Sequence, residues 1–358
     1  MNFIFKKELS EDLLFIDDKI FLSFSDELNK VKSLIDDYPK EWEIIKKKIH
    51  EYEYIYTSSY YKKNISRISP ISRSYFKFRE IYQDYNLLNT EDDNYHIVCL
   101  AEAPGGFIQS ILHTLSKESI EVIHGITLLS DDKKIPMWNR SLKGNPKIKF
   151  HTGVKGNGDL YDLQNVLSFI KDIGKNSVHL ITGDGGFDYS QDYSKQEENS
   201  LKLIYSEIFI ALNLQIIGGS FVCKLFDIFS KDTINLIHIL RISYDKIILH
   251  KPSVSRFSNS EKYIICIGYK GYNQELINHL CHHFNDNEIN LPMCKYFIKD
   301  IVNFNNIYCK KQIEHIHSGI EMIKNHDLED KPKQKQIKIA IEWCKKYNIP
   351  VNFNCLYI

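Results

Sequence analysis

What most restricts this chain is a recurring order of short apolar run, glycine-bearing turn and then apolar residues at helical spacing. Tyr95-His96-Ile97-Val98-Cys99-Leu100 is followed by the turn Ala101–Phe107 and by Ile108, Ile111, Leu112 and Leu115. This reads as strand, tight loop, helix. Further strands are predicted at Val122–Leu128, Val178–Thr182 and, after the Gly218-Gly219 stop, Gly219–Leu225, with a long apolar helix at Leu201–Leu214. Ile234–Arg241 reads as a helix, whereas Lys246–His250 and Tyr263–Tyr269 read as two strands with no helix between them. The implied fold is α/β, a doubly wound Rossmann-like sheet with helices on both faces and an antiparallel last strand.

The pattern occupies roughly residues 71–270 of 358, flanked by segments 1–70 and 271–358 that are expected to be helical extensions. In the first, Trp42–Ile49 reads as an amphipathic helix whose lysines face either solvent or RNA. Lys+Arg and Asp+Glu number 46 each, which excludes a broadly basic nucleic-acid coat but leaves room for a local basic groove. None of the eight cysteines forms a C-x-x-C pair, and Cys99, Cys223 and Cys266 lie in apolar runs where a thiol serves as a small buried hydrophobe. Cys281-His282-His283, with Cys294 and Cys309, matches no common zinc spacing, so no metal is expected. With no signal peptide and no apolar stretch able to cross a bilayer, an intracellular protein without a membrane partner is expected.

Four motifs carry chemistry. The first, Glu102-Ala103-Pro104-Gly105-Gly106-Phe107, opens a helix at the carboxyl end of a strand, where open α/β sheets bind ligands. It lacks the G-x-G-x-x-G spacing of a dinucleotide site, and the second strand ends in Thr127-Leu128 with no acid. The second, Thr182-Gly183-Asp184-Gly185-Gly186-Phe187, puts a carboxylate at a strand end between glycines. The third, Gly219–Leu225, holds Lys224 within a run suited to burial, so this lysine either snorkels or meets a carboxylate such as Asp184. The fourth, Lys251–Tyr263, is a hydroxyl-rich basic connection containing Ser255, Arg256, Asn259 and Glu261.

Together these motifs resemble, in their order, the FtsJ type of RNA ribose 2′-O-methyltransferase, and the fourth is most similar to the cap-specific branch acting on messenger RNA 5′ ends. The resemblance implies a Lys-Asp-Lys-Glu tetrad carried by Lys77, Asp184, Lys224 and Glu261. It also implies S-adenosylmethionine as cofactor, bound at Glu102, Ala103, Pro104, Gly105, Gly106 and Phe107, at Thr127, at Asp159 of Gly156-Asn157-Gly158-Asp159, and at Asp184. RNA contacts are expected from Arg73, Tyr75, Tyr189, Arg256 and Asn259, with Arg67, Lys155 and Lys262 as further backbone contacts and Tyr75 or Tyr189 stacking a base or cap. RNA binding should then be salt-sensitive despite the balanced charge.

A ribose 2′-hydroxyl is a poor nucleophile and a methyl sulfonium is already an activated electrophile, so the work left is positioning both and removing one proton. Lys224 is the expected proton acceptor, its pKa lowered by burial and a neighbouring cation. Asp184 and Lys77 are expected to steer and Glu261 to orient the lysines. The expected activity is methylation of the first transcribed nucleotide of capped messenger RNA, cap 0 to cap 1, with other capping enzymes as partners. The alternatives are a ribosomal or transfer RNA 2′-O-methyltransferase and a catalytically inactive RNA-binding subunit.

Overall fold

The structure, a computed structural model, describes residues 2–5, 13–16, 22–88, 93–186, 195–328 and 331–358. Its amino-terminal part runs β1 (Asn2–Ile4), β2 (Leu13–Leu14), α1 (Leu22–Ser33), α2 (Pro39–Lys48) and two short 3₁₀ turns at Glu53–Ile55 and Tyr61–Lys63. The central part is α3 (Ser74–Tyr85), β3 (Tyr95–Leu100), α4 (Gly106–Thr114), β4 (Ile120–Ile126), α5 (Arg140–Lys143), β5 (Ile148–His151), α6 (Leu163–Ile173) and β6 (Val178–Gly183). It continues through α7 (Gln196–Leu214), β7 (Gln215–Leu225), α8 (Lys231–Ser243), β8 (Tyr244–His250) and β9 (Lys262–Tyr269). The chain ends with α9 (Gln274–His282), β10 (Met293–Cys294), α10 (Lys295–Lys324) and α11 (Gln334–Lys346).

The main sheet has the order β1-β8-β9-β7-β6-β3-β4-β5. Strands β3 to β7 pair in parallel, and β9 lies antiparallel to both β7 and β8. Alternate residues of one strand enter different cores. Ile97 and Cys99 pack with α3 and α4, while Val98 and Leu100 pack with α6, α7 and α8. Burial on both faces explains why these strands read as continuous apolar runs. Because the chain leaves β3 for β4 and β5 and returns on its other side at β6, the strand order reverses between β3 and β6. A crevice opens there at the carboxyl ends.

The amino-terminal extension corrects one expectation, since it is not purely helical. β1 joins the main sheet antiparallel to β8, pairing Phe3 with Leu249, and β2 pairs with β10. In α2, Trp42 and Ile45 pack on Ile316, Ile320 and Ile323 of α10, so the tryptophan face is the buried one. Of its lysines, Lys46 pairs with Glu43 and Lys48 with Asp327. All eight cysteines are free thiols, and Cys99, Cys223 and Cys266 are fully buried.

Candidate active site

The loops after β3, β4, β5 and β6, with the end of β7 and the start of α3, enclose a cleft of about 810 Å³, within the size range of small-molecule sites. Glu102, Ala103, Pro104, Thr127, Asp159, Asp184, Lys77 and Lys224 line it, joined by Asp132 and Lys134 from the loop after β4. Gly105, Gly106 and Phe107 do not. Phe107 is fully buried against Phe78, and a Cβ at Gly105 would lie 2.3 Å from Leu142 Cδ1. Gly106 has a different task. A Cβ there would fall 2.2 Å from both Ser72 Oγ and Ser74 Oγ, so glycine lets the start of α3 seat against the loop. That seating carries Lys77, one turn further along α3, to the rim of the cleft.

Lys77 Nζ donates to Glu261 Oε2 at 2.7 Å. Lys224 Nζ donates to the Asp184 carbonyl at 2.8 Å and lies 3.4 Å from Asp184 Oδ1. Four side chains spread from position 77 to position 261 thus form two adjacent ion pairs. Tyr263 is fully buried and donates its hydroxyl to Asp184 Oδ1 at 2.7 Å, while Ser255 Oγ donates to Glu261 Oε1 at 2.8 Å. Buried Lys251 ties down the loop bearing Glu261 by donating to the Asn259 carbonyl at 2.9 Å and the Glu261 carbonyl at 2.6 Å.

Charge states follow from these neighbours. Burial pushes the Glu261 carboxyl up, but Lys77 first, then Lys224 and Lys251, pull it down to about 2. For Lys224, burial lowers the pKa, yet Asp184, Glu261 and Glu207 together outweigh burial and leave it above the ordinary lysine value. Lys224 is therefore held charged, and is not softened by a second lysine as expected, because Asp184 and Glu261 act on it first and Lys77 is occupied with Glu261. Glu102 is buried, its Oε1 accepts the Thr182 hydroxyl, and burial holds its pKa well above the usual carboxylate range, with Asp184 and Glu207 adding to the shift.

The residues expected to touch RNA divide. Tyr75 is buried with its hydroxyl 3.2 Å from His113 Nδ1, so it cannot stack a base. Its ring packs edge-on against Phe76 and His113, which leaves it no open face. Arg256 grips buried Glu53 with two hydrogen bonds of 3.0 and 2.8 Å, and Arg73 meets the same carboxylate at 3.2 Å while lining the cleft. Lys262 is buried and faces Asp227 at 3.8 Å, which removes it as a backbone contact. Asn259 is exposed and its Oδ1 accepts from Lys251 at 2.8 Å, Arg67 is exposed, and Lys155 pairs with Asp162. Tyr189, like Phe187, lies outside the described residues. Sequence reasoning gave no role to Tyr263 or Glu207. An acid inside the apolar run Leu201–Leu214 was the available signal for Glu207.

Residues 70–269 match the family model described as FtsJ-like methyltransferase. Among curated relatives, cap-specific mRNA (nucleoside-2′-O-)-methyltransferase 1A of Caenorhabditis briggsae is 30% identical over 288 residues, 74% of this chain and 32% of that protein. Cap-specific mRNA (nucleoside-2′-O-)-methyltransferase 1 of Trypanosoma brucei brucei is 30% identical over 249 residues, 66% of this chain and 65% of that protein. A protein named inactive cap-specific mRNA (nucleoside-2′-O-)-methyltransferase 1B, also from Caenorhabditis briggsae, is 28% identical over 288 residues, 74% of this chain and 33% of its own length. The chain thus spans about a third of the length of the two nematode relatives it matches.

Proposed function

The chain belongs to the FtsJ-like methyltransferases, and from that premise we propose that it methylates the ribose 2′-hydroxyl of the first transcribed nucleotide of capped messenger RNA, with S-adenosylmethionine as donor. The observation that carries the reading is the meeting of Lys77, Asp184, Lys224 and Glu261 as two ion pairs beside the cleft. The cleft also suits the donor. Its lining acids Glu102, Asp132, Asp159 and Asp184 match a ligand bearing an ammonium, a sulfonium and ribose hydroxyls. Among the described residues the buried Glu102 Oε2 has no hydrogen-bond partner. A Cβ at Gly158 would stand 2.0 Å from the Thr127 carbonyl, so glycine allows the Asp159 loop to close onto the β4 loop. In this reading Glu102, Ala103 and Pro104 hold one side of the donor, Thr127 and Asp159 another, and Asp184 faces the reacting centre.

When bound, the donor supplies an activated methyl on a cationic sulfur, and its positive charge opposes the carboxylates that keep Lys224 protonated. Lys224, as free amine, takes the 2′-hydroxyl proton while the oxygen accepts the methyl. The methyl would pass from sulfur to the 2′-oxygen, giving 2′-O-methylribose and S-adenosylhomocysteine. Asp184, held by Tyr263, fixes the Lys224 ammonium afterwards, and Glu261 keeps Lys77 at the rim. The test is transfer of labelled methyl from S-adenosylmethionine to transcripts that differ only in the cap, followed by nucleoside mapping. Label on the first ribose of the capped RNA alone is expected. Equal transfer to uncapped RNA would favour a ribosomal or transfer RNA substrate, and RNA binding by a folded chain without transfer would make it an inactive subunit.

A further inference from the structure

Helix α7 is buried at every position from Leu203 to Leu214, and this stretch contains one acid, Glu207. Its side chain packs against the backbone that presents each half of the Asp184–Lys224 pair. Glu207 Oε2 accepts the thiol of Cys223, the residue preceding Lys224 on β7, at 3.1 Å. The same carboxyl lies under the turn that presents Asp184. A Cβ at Gly183 would meet Glu207 Cδ and Oε2 at 2.6 Å, and one at Gly185 would meet Oε1 at 3.1 Å. The glycines on either side of Asp184 therefore have a packing reason, since a larger residue at 183 would drive the turn off the carboxyl.

The surroundings also settle the form of this acid. Among the described residues no lysine or arginine forms an ion pair with Glu207, and Oε1 has no hydrogen-bond partner. A carboxylate buried without a cation is costly and takes up a proton instead. Burial pushes Glu207 up to about 8, with the Cys223 thiol, Lys224 and the Gly185 amide opposing and Asp184 adding to the shift. The titratable groups facing it are Cys223 and Lys224 from β7, Asp184 from the turn after β6, and Glu102 from the loop after β3. Lys202 on its own helix is turned to the Phe284 ring, 3.8 Å away.

We propose that Glu207 is a positioning residue for the methyl-transfer centre, a neutral carboxylic acid wedged beneath the Gly183-Asp184-Gly185 turn that sets Asp184 against Lys224. The inference rests on the reading given under Proposed function. Ionising Glu207 would add a negative charge beside Lys224, tightening its hold on the proton and repelling Asp184. The rate of the native chain should therefore flatten where Glu207 loses its proton.

The test compares Glu207→Gln, which mimics the protonated acid, with Glu207→Ala in kcat against pH and in thermal stability against pH. The Gln variant should keep kcat within about twofold at neutral pH and continue rising past about pH 8, whereas the Ala variant should lose about tenfold in kcat with little change in KM for S-adenosylmethionine. A group whose folded pKa is raised stabilises fully below its unfolded pKa and loses that contribution as pH rises through the folded value, so the native midpoint should fall relative to the Gln variant between about pH 5 and 8. A Gln variant as slow as the Ala variant, or a pH profile superimposable on the native one, overturns the proposal. Should the native chain transfer no methyl, the function reading fails by itself. The stability arm then decides Glu207, and a pH-independent difference between native and Gln chains overturns the neutral acid.

Discussion

At the scale of single residues, the site is governed by which charge has which neighbour. Glu261 is ionised down to about 2 because Lys77, Lys224 and Lys251 overcome its burial. A depressed carboxyl stabilises above its unfolded pKa, and that contribution is lost as pH falls through the folded value. Glu261→Gln should therefore cost about 3 kcal/mol at neutral pH, the scale of breaking a buried pair, and the gap to the native chain should narrow as pH falls from about 5 to about 2. Urea denaturation at several pH values measures this, and a gap that stays constant would contradict the assignment. Asp184 and Lys224 were legible because a charge in an apolar strand or a glycine turn stands out. Lys77 was reached only through the family resemblance, since Arg73 and Arg79 are close by on the same helix. Its neighbours proved committed elsewhere, Arg73 to Glu53 and Arg79 to the Tyr347 carbonyl at 3.0 Å.

At the scale of elements, the position of Lys77 depends on how closely α3 can approach the loop after β3. Gly106→Ala would bring a Cβ to 2.2 Å from two serine hydroxyls and 3.0 Å from the Tyr75 amide nitrogen. Overpacking of this kind costs about 1–3 kcal/mol. It should lower turnover about tenfold by shifting Lys77, with part of the loss recovered when Ser72 and Ser74 are also changed to alanine. An unaltered melting temperature and rate in Gly106→Ala would contradict this packing account. Strands β3, β4, β6, β7, β8 and β9 were readable within a few residues because burial on both faces writes them as apolar runs. β7 starts earlier than read, at Gln215, because Gly218-Gly219 lies inside the strand and does not mark its start. β5 and β1 were not readable. Ile148-Lys149-Phe150-His151 is four residues long and only partly buried, and Asn2–Ile4 is three residues whose partner strand is β8.

For the molecule as a whole, the extensions are braces for the loop that carries Glu261, a role their own sequence does not announce. From the amino-terminal side Glu53 holds Arg256, and Lys32 donates to Asp227 at 2.8 Å and to Ser260 Oγ at 2.9 Å. From the carboxyl-terminal side Gln312 donates to the Ser258 carbonyl at 3.2 Å. Trp343 donates to Glu80 at 2.9 Å, and Glu80 in turn accepts the Ser253 amide at 2.7 Å. Such contacts join residues from 54 to 263 positions apart and leave no periodic trace, so the flanks read as appendages although the core fold was plain. The central claim is that this framework brings two lysines and two carboxylates together for methyl transfer, with Lys224 as the base. It is tested most directly by labelled-methyl transfer from S-adenosylmethionine to capped RNA by the native chain and by Lys224→Ala, each first verified as folded and RNA-binding. The account predicts that the variant loses at least about 100-fold in turnover. A folded, RNA-binding variant that transfers methyl at the native rate would contradict it.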